Sequence, residues 1–451
     1  MRARRAALDT LAAVAERDAY ANLVLPGLLR SRGLTGPEAA RATDLTYGTL
    51  RGQGTYDQVI SACSSRALTR IDPAVLDALR LGTHQLLFGR VPAHAAVATT
   101  VDLVRQRSGA GSARFANAVL RAISQRSLDE WVEALLGEDA PERDRLAMRH
   151  LHPRWIVDAL ADALGEQAER LPAVLEANNL APRVTLAALP GLSTVDELVA
   201  AGARAGRWSP TAAVAPPGDP RAVAAVAQGR ARVQDEGSQV VTAALVAAPA
   251  AEGGDRAWLD VCAGPGGKAS LLGALGAGSG TPLLAADIHQ HRARLVSSAI
   301  AAAGLGEAVT VVRADGTHPP WRPQRFSRVL LDAPCTGLGA LRRRPEARWR
   351  RSPADLERLA PLQRALLHRA LDSTAPDGVV AYVTCSPHRA ETADVVEAVL
   401  AERGDVVLGD AAAVLHHIPA VGRGPYAQLW PDLHGTDAMF LALLYRRRRV
   451  G

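Results

Sequence analysis

The sequence predicts a multidomain protein with an all-α domain over residues 1–140, a small α+β domain or linker over 141–235, and a doubly wound α/β domain over 236–451. Three observations support this prediction. The length of 451 residues exceeds that of one ordinary domain. Apolar residues recur at helical spacing in the first part, whereas short apolar runs alternate with helical segments after residue 239.

The N-terminal part has the spacing of amphipathic helices. Turn signals separate its segments, among them Gly33 and the pair Asp72 and Pro73. We therefore predict an all-helical domain. Apolar residues that recur at intervals close to 3.6 are Leu8, Leu11, Ala12 and Val14 in one segment, and Val75, Leu79, Leu86 and Leu87 in another.

The middle stretch mixes two kinds of structure. Residues 155–164 and 170–178 have helical spacing, 183–186 has the pattern of a short strand, and the Pro- and Gly-rich run APPGDP follows. This mixture indicates a small α+β domain or an elaborated linker.

The C-terminal part has the pattern of a Rossmann-like, mostly parallel sheet. Strands of such a sheet are covered on both faces, so they are continuously apolar, and ligands bind beyond their carboxyl ends. The chemically distinctive tetrapeptides of this chain all follow strands of this kind. The candidate strands are 257–262, 282–286, 309–313, 328–331, 379–384 and 440–445.

Charge and composition are compatible with a polyanionic partner. The net charge is +6 and the pI is about 9.5. Of the 52 Lys and Arg residues a single one, Lys268, is lysine, and it lies in the most glycine-rich loop. Because every other residue of this pair of types is arginine, we expect the single lysine to lie where a compact, flexible ammonium group is required.

The cysteines are scattered and form no C-x-x-C pair, which argues against a zinc site and against a disulfide framework. No run of about 18 apolar residues occurs, so neither a membrane span nor a signal peptide is expected. We predict a cytoplasmic protein without a metal. The cysteines are Cys63, Cys262, Cys335 and Cys385.

Glycines and acids mark a candidate cofactor site. In WLDVCAGPGGKAS, Gly264, Gly266 and Gly267 lie at a strand-to-helix turn, where a ligand can approach the backbone. The spacing matches neither a dinucleotide fingerprint nor a P-loop. Acidic residues then follow successive strands. A carboxylate after the second strand can accept hydrogen bonds from the ribose hydroxyls of either NAD or S-adenosylmethionine. These acids are Asp287, Asp315 and Asp332.

Two thiols follow two strands that we expect to be neighbours. Cys335 lies in LLDAPCTGLG and Cys385 in VVAYVTCSPHRAE. One reaction that uses a thiol in such a cleft is the methylation of carbon 5 of a pyrimidine. That carbon is a poor nucleophile, and attack of a thiolate on the neighbouring carbon 6 makes it nucleophilic. Asp332 could hydrogen-bond the ring and stabilise its developing charge. These patterns alone leave open which cysteine attacks.

At these residues the chain resembles the RNA cytosine-5 methyltransferases, specifically the bacterial RsmB-type (Sun/Fmu) enzymes of small-subunit (16S) ribosomal RNA. TCSP resembles the nucleophile motif of the family, which implies that Cys385 attacks, and APC implies that Cys335 assists product release. CAGPGGK resembles the cofactor loop. The S-adenosylmethionine contacts that the resemblance implies are Cys262, Ala263, Gly264, Pro265, Gly266, Gly267, Lys268, Asp287, Asp315 and Asp332.

Other segments extend the resemblance over nearly the whole length: QDEGSQ, RRRPEARW and GTDAMFLALL. VPAHAAVATTVDLV and FANAVLRAI resemble the NusB-like helical RNA-binding domain of the RsmB subgroup, which implies this role for residues 1–140 and a methyltransferase domain over 236–451. Two positions depart from the family: Glu391-Thr392 replaces Glu-Glu-Asn, and Ala438-Met439-Phe440 replaces Gly-Phe-Phe. Substrate contacts at those positions are not carried over.

An arginine cluster after Cys335 is the candidate RNA-binding surface, since guanidinium groups contact phosphates and an aromatic ring can stack on a base. The target cytosine must be unpaired or extruded, because carbon 6 is hidden in a duplex. We expect a monomer that binds ribosomal RNA. The expected RNA contacts are Arg343, Arg344, Arg348 and Trp349.

Three other functions fit part of the pattern. An RNA amino-methyltransferase would use the acid and proline after the fourth strand but needs no thiol. A non-catalytic RNA-binding or antitermination factor would not need Lys268, the acids and both thiols. A NAD-dependent dehydrogenase would explain the glycines and Asp287 but neither cysteine.

Overall fold

The computed structural model describes residues 1–17, 19–249, 256–422 and 424–447. Contacts within the chain divide it into two compact units. We call the first the helical unit, Met1–Leu180 with Leu341–Ser352, and the second the sheet unit, Ala181–Ala340 with Pro353–Gly451. The boundaries of these units do not coincide with the boundaries at 141 and 236 that the sequence suggests.

Helices α1–α9 and α15 belong to the helical unit, and the others belong to the sheet unit. Among the residues that the structure describes, no helix is both long and apolar enough to cross a bilayer. In chain order the helices are α1 (Arg2–Arg17), α2 (Ala21–Ser31), α3 (Gly36–Cys63), α4 (Pro73–Leu87), α5 (Ala93–Ile123), α6 (Leu128–Leu136), α7 (Glu142–Arg149), α8 (Arg154–Leu164), α9 (Leu171–Ala177), α10 (Val195–Ala200), α11 (Ala224–Ala227), α12 (Glu236–Ala247), α13 (Gly267–Gly278), α14 (Gln290–Ala302), α15 (Ala347–Arg350), α16 (Ala354–Ser373), α17 (Ala393–Glu402), α18 (Ala411–Val414) and α19 (Pro431–His434).

The start of α4 shows how local sequence sets the helical unit. The carboxylate of Asp72 accepts hydrogen bonds from the backbone N–H groups of Ala74 and Val75, and Pro73 takes the first helical position. Leu79 on the same helix is fully buried in the core of the unit. The predicted turn at Asp72 and Pro73 therefore starts this helix, and the predicted apolar residues of the segment lie on it. The all-helical N-terminal region that the sequence predicts is confirmed.

The strands form two sheets in the sheet unit. One is antiparallel with the order β2-β3-β1-β4, and the other has the order β10-β12-β9-β8-β5-β6-β7, with β11 paired to β12. In chain order the strands are β1 (Thr185–Ala188), β2 (Arg204–Ala205), β3 (Ala212–Val214), β4 (Ala231–Val233), β5 (Trp258–Asp260), β6 (Leu283–Asp287), β7 (Val309–Arg313), β8 (Phe326–Asp332), β9 (Thr374–Thr384), β10 (Val406–Leu408), β11 (Ala427–Gln428) and β12 (Phe440–Arg446).

The larger sheet is mostly parallel and covered on both faces, as predicted. Strands β5 to β9 pair in parallel, whereas β12 runs antiparallel to β9 and β10. Successive residues of β8 enter different cores: Leu330 packs with residues of α12–α14, and Leu331 packs with residues of α16 and α17. This alternation explains why the strand sequence is apolar at every position.

Strand order reverses next to β5. From β5 the chain proceeds to β6 and β7 on one side, and it then returns to add β8 and β9 on the other side. A reversal of this kind opens a crevice at the carboxyl end of the central strand, where ligands of doubly wound sheets bind.

Candidate active site

Residues that the sequence singled out converge at the carboxyl edge of the parallel sheet. Strands β5, β6 and β8 end at Asp260, Asp287 and Asp332, and β9 ends one residue before Cys385. Because β8 and β9 are paired with Asp332 opposite Val383, the segments that follow them leave the sheet side by side.

The turn from Cys262 to Lys268 connects β5 to α13. Gly264 donates its N–H to the Asp287 carboxylate at 3.1 Å, and a Cβ at Gly264 would meet that oxygen at 2.4 Å. Gly266 has φ of +106°, which side chains rarely adopt. A Cβ at Gly267 would meet no atom closer than 3.8 Å. A side-chain carbon at Gly267 would thus only touch Gln234, and the glycine leaves the backbone N–H groups at the N-terminus of α13 uncovered by a side chain of its own.

Three other residues of this turn have different environments. Ala263 is buried and donates its N–H to the carbonyl of Ala286 at 2.9 Å. Pro265 is exposed and follows a cis peptide bond. Burial, together with the nearby carboxylate of Asp260, raises the pKa of the Cys262 thiol well above its ordinary value. Cys262 is thus a neutral thiol and not a nucleophile.

The acids after β6 and β7 differ in how their oxygens are used. Asp287 is almost fully buried, and its second oxygen accepts the N–H of His289 at 2.8 Å. Asp315 accepts the backbone N–H and the hydroxyl of Thr317 at 2.9 and 2.7 Å. These hydrogen bonds lower the pKa of Asp315, so its carboxylate is ionised.

Lys268 and Asp332 form an ion pair beside the cysteines, with 2.7 Å between Nζ and Oδ2. Burial alone would lower the pKa of Lys268, but the charge and hydrogen bond of Asp332 outweigh it, and the pKa is raised. The sulfur of Cys385 contributes to this shift by electrostatic attraction. Lys268 is therefore a cation within electrostatic reach of Cys385, which favours a thiolate there.

Asp260 is a site residue that the sequence analysis did not single out. Its side chain is fully buried, and the nearby backbone N–H of Cys262 does not reach the geometry of a full hydrogen bond to its carboxyl oxygens. Burial, with a contribution from the charge of Asp332, raises the pKa of Asp260 to about 8. The carboxyl group is thus largely protonated at neutral pH. Its position at the end of β5, the strand before the glycine turn, was the available sequence signal.

Cys335 and Cys385 lie in contact, with 3.4 Å between the two sulfur atoms. The segments that carry them are also joined through the backbone: Gly339 donates its N–H to the carbonyl of Cys385 at 2.8 Å. The hydrogen bond to Cys385, together with burial, raises the pKa of Cys335 well above its ordinary value. Cys335 therefore keeps its proton, and both cysteine residues are half-buried. Cys63, by contrast, lies in the helical unit.

Arg348 and Trp349 both belong to the helical unit, and Arg348 does not have the environment expected of an RNA contact. Arg348 is 0% exposed. Its guanidinium group donates to the carbonyls of Leu151 and Asn178 at 2.9 and 2.8 Å, and to the side chain of Asn179 at 2.8 Å. The expectation for Arg348 is wrong, because a buried guanidinium that is bonded to backbone carbonyls cannot reach a phosphate.

Trp349 is likewise used within the helical unit. Its indole N–H donates to the carbonyl of Arg51 at 3.1 Å, and its ring covers Gly54, where a Cβ would meet it at 2.1 Å. These contacts orient the ring, which is half-buried, and stacking of Trp349 on a base stays a prediction. Arg343 is half-buried, whereas Arg344 is exposed, with its guanidinium 5.1 Å from the ring centre of Tyr20.

Two family models match the chain. The model described as 16S rRNA methyltransferase RsmB/F matches residues 246–445, and the model described as NusB family matches residues 1–125. The first range contains the glycine turn, the acids after β6, β7 and β8, and both cysteines of the cleft. The second range covers most of the helical unit.

Curated relatives align over almost the full length. A Mycobacterium tuberculosis protein that bears a methyltransferase name is 51% identical over 98% of this chain and 96% of its own. Ribosomal RNA small subunit methyltransferase B of Pseudomonas syringae pv. tomato is 34% identical over 99% and 97%. The protein of the same name from Klebsiella pneumoniae is 30% identical over 99% and 98%.

Solved structures share the fold. The crystal structure of PH0851 matches with a TM-score of 0.80 and 21% identity over 98% of both chains. A methyltransferase homolog protein from Pyrococcus horikoshii matches with a TM-score of 0.54 and 22% identity over 68% of this chain and 99% of its own. At these identities the likeness concerns the fold, and it agrees with the parallel sheet and the helical N-terminal region.

Proposed function

Because this chain belongs to the RsmB/F family of 16S rRNA methyltransferases, we propose that it methylates carbon 5 of a cytosine in 16S ribosomal RNA through a covalent bond to Cys385. S-adenosylmethionine is the cofactor of this methyltransferase family. The observation that carries the proposal is the 3.4 Å distance between the sulfurs of Cys335 and Cys385 at the carboxyl edge of the sheet.

The residues around the glycine turn fit the cofactor. Gly267 carries no side chain over the N-terminus of α13, and Asp287 ends the second strand, where a carboxylate suits ribose hydroxyls. Asp315 follows the third strand, and Asp332 lies beside the turn through its ion pair with Lys268. When bound, S-adenosylmethionine supplies an electrophilic methyl group.

Cys385 is the proposed nucleophile. Its sulfur forms a bond to carbon 6 of the cytosine, and the electron pair of the 5,6 double bond moves so that carbon 5 becomes nucleophilic. Lys268 supports the thiolate by its positive charge. The Asp332 carboxylate, which is only partly buried, is the group that can hydrogen-bond the exocyclic amino group of the ring.

Cys335 is the proposed partner in product release. After carbon 5 has been methylated, its proton must leave so that the double bond re-forms and the bond between sulfur and carbon 6 breaks. Cys335 holds its proton beside Cys385 because its pKa is raised. A neutral thiol at this place is not a second nucleophile, and it can donate its proton to the departing sulfur of Cys385 while a base takes the proton of carbon 5.

The helical unit is proposed to bind the RNA. Residues 1–125 match the NusB family, and Arg343 and Arg344 remain candidates for phosphate contacts, since neither is fully buried. The target must be unpaired or extruded for carbon 6 to be reached. A cytoplasmic monomer that acts on ribosomal RNA is consistent with this assignment.

The proposed activity is tested by bisulfite sequencing of ribosomal RNA from cells with and without the gene, and from cells that carry Cys385→Ala instead. We expect one cytosine of 16S ribosomal RNA to resist conversion only when the intact protein is present. Methylation of an exocyclic nitrogen, or full protection by the Cys385→Ala protein, would contradict the proposal.

A further inference from the structure

We propose that Glu391 is a positioning residue that holds Cys335 in the geometry needed for product release. The inference rests on the proposed function, because it concerns the step that follows methyl transfer. Glu391 lies six residues after Cys385 in the 3₁₀ turn Arg389–Glu391, and its side chain is 0% exposed.

The carboxylate of Glu391 is bonded to the residue that follows Cys335. It accepts the backbone N–H of Thr336 at 2.8 Å, and its second oxygen accepts the hydroxyl of Thr336. Two hydrogen bonds from one residue to one carboxylate fix both the backbone and the side chain at that position. The peptide immediately after Cys335 therefore has little freedom to rotate.

The residue before Cys335 is held through Gln363. The side-chain amide of Gln363 donates to the carbonyl of Pro334 at 2.8 Å and to the Glu391 carboxylate at 3.1 Å. Gln363 is fully buried on α16. Glu391 thus determines, directly or through one side chain, the position of the backbone on both sides of Cys335.

Glu391 is itself fixed to the strand that leads to Cys385. Its backbone carbonyl accepts the hydroxyl of Tyr382 at 2.7 Å, and Tyr382 is fully buried in β9. A further bridge joins the two cysteine segments, because the hydroxyls of Thr336 and Ser386 lie 3.2 Å apart. Glu391 therefore connects the Cys335 segment to the Cys385 strand.

A buried carboxylate destabilises the folded state unless it accepts hydrogen bonds. The Glu391 carboxylate accepts three. Its negative charge also contributes to the raised pKa of Cys335. Both effects act on Cys335. The donors to the Glu391 carboxylate lie next to Cys335 and on α16, whereas Cys385 follows the end of β9. Loss of the carboxylate should therefore impair release more than attack, so that Cys385 remains attached to the RNA.

The test compares purified full-length variants after incubation with 16S ribosomal RNA and S-adenosylmethionine. The RNA-linked fraction of the protein is measured on denaturing gels, and turnover is measured by methyl incorporation. Glu391→Ala is compared with wild type and with Cys335→Ala. Glu236→Ala is the matched control, because Glu236 is a buried acid of the same unit that also accepts three hydrogen bonds, from the N–H groups of residues 207–209.

We expect Glu391→Ala to lose turnover by about tenfold to a hundredfold and to accumulate RNA-linked protein as Cys335→Ala does. Glu391→Gln retains one acceptor oxygen, so its linked fraction should lie between those of wild type and Glu391→Ala. Glu236→Ala should lower thermal stability without accumulating linked protein.

The outcomes separate the two proposals. If Cys335→Ala forms no linked species, the covalent mechanism itself fails. If Cys335→Ala traps RNA but Glu391→Ala shows the wild-type fraction, the positioning role is overturned. Should Glu391→Ala not fold, Glu391→Gln decides: a linked fraction several times that of wild type supports the role, and the wild-type fraction overturns it.

Discussion

The sulfur atoms of Cys335 and Cys385 lie 3.4 Å apart, although 50 positions separate the two residues in the chain. Parallel pairing of β8 with β9 produces this contact, since both strands end at the same edge and Asp332 lies opposite Val383. The same edge carries Lys268, whose charge reaches Cys385. The two thiols therefore lie in contact at this edge, and the pKa of Cys335 is raised.

The contact predicts that these two thiols form a disulfide selectively. Hydrogen peroxide should oxidise the pair, with one peroxide taking both thiol hydrogens and leaving as two waters. Methylation should stop and recover after treatment with dithiothreitol. Peptide mass spectrometry should find residues 335 and 385 linked; a link through Cys63 or Cys262 instead would contradict the geometry.

Lys268→Met should lower kcat by about tenfold to a hundredfold, because the thiolate of Cys385 loses a neighbouring positive charge. The acidic limb of the pH–rate profile should move to higher pH. Lys268→Arg serves as the control, since it keeps the charge but not the compact ammonium, and it should shift the limb less. An unchanged pH profile in Lys268→Met would show that Lys268 does not act on the nucleophile.

Asp260 should make the protein less stable as the pH rises. Its folded-state pKa is raised from 3.8 to about 8, so the folded protein binds this proton more tightly than the unfolded chain. The stabilisation that this tighter proton binding gives to the folded state is complete below the pKa of Asp260 in the unfolded chain. It is lost as the pH rises through about 8. Relative to wild type, Asp260→Asn should gain about 2 kcal/mol in free energy of unfolding between pH 6 and pH 8. Urea denaturation at several pH values measures this difference, and a constant difference would refute the assignment.

Arg348→Ala should act on stability and not on RNA contacts. Removing three hydrogen bonds from a buried guanidinium should lower the free energy of unfolding by about 3 kcal/mol, while the salt dependence of RNA affinity of the folded protein stays the same. Arg344→Ala is the exposed control. It should change stability by no more than about 0.5 kcal/mol. A reduced salt slope in Arg348→Ala, with unchanged thermal unfolding, would reverse this interpretation.

The sequence was sufficient to predict the sheet and the residues at its edge. Apolar runs predicted the strands of the larger sheet other than β10 and β11, because strands buried on both faces leave a continuous signal. Since parallel strands end together, residues that follow them in the sequence become neighbours in the fold. The proximity of Cys335 and Cys385 follows from this rule.

Burial of charged residues could not be predicted in the same way. Arg348 was expected on the surface because its neighbours are basic, but its partners Leu151 and Asn178 lie 197 and 170 positions away. Asp260 was not singled out because the predicted strand 257–262 places it inside a strand and not at its end. In both cases the environment depends on distant segments that no local pattern reveals.

Contacts between distant segments also determine how the chain divides into the two units. The small antiparallel sheet belongs to the sheet unit, and its link to α12 runs through the buried side chain of Gln239. That amide donates to the carbonyl of Leu186 at 3.2 Å and accepts the hydroxyl of Thr211 at 2.8 Å. Linker-like composition at 215–220 therefore does not mark a boundary.

The most direct test of the account is the identity of the bond that forms when release is blocked. Cys335→Ala protein is incubated with 16S ribosomal RNA and S-adenosylmethionine, digested with nuclease and protease, and analysed by mass spectrometry. We predict a peptide in which residue 385 carries a cytidine that has already gained a methyl group. A methylated RNA product with no nucleotide attached to residue 385, or with the methyl group on a nitrogen, would contradict it.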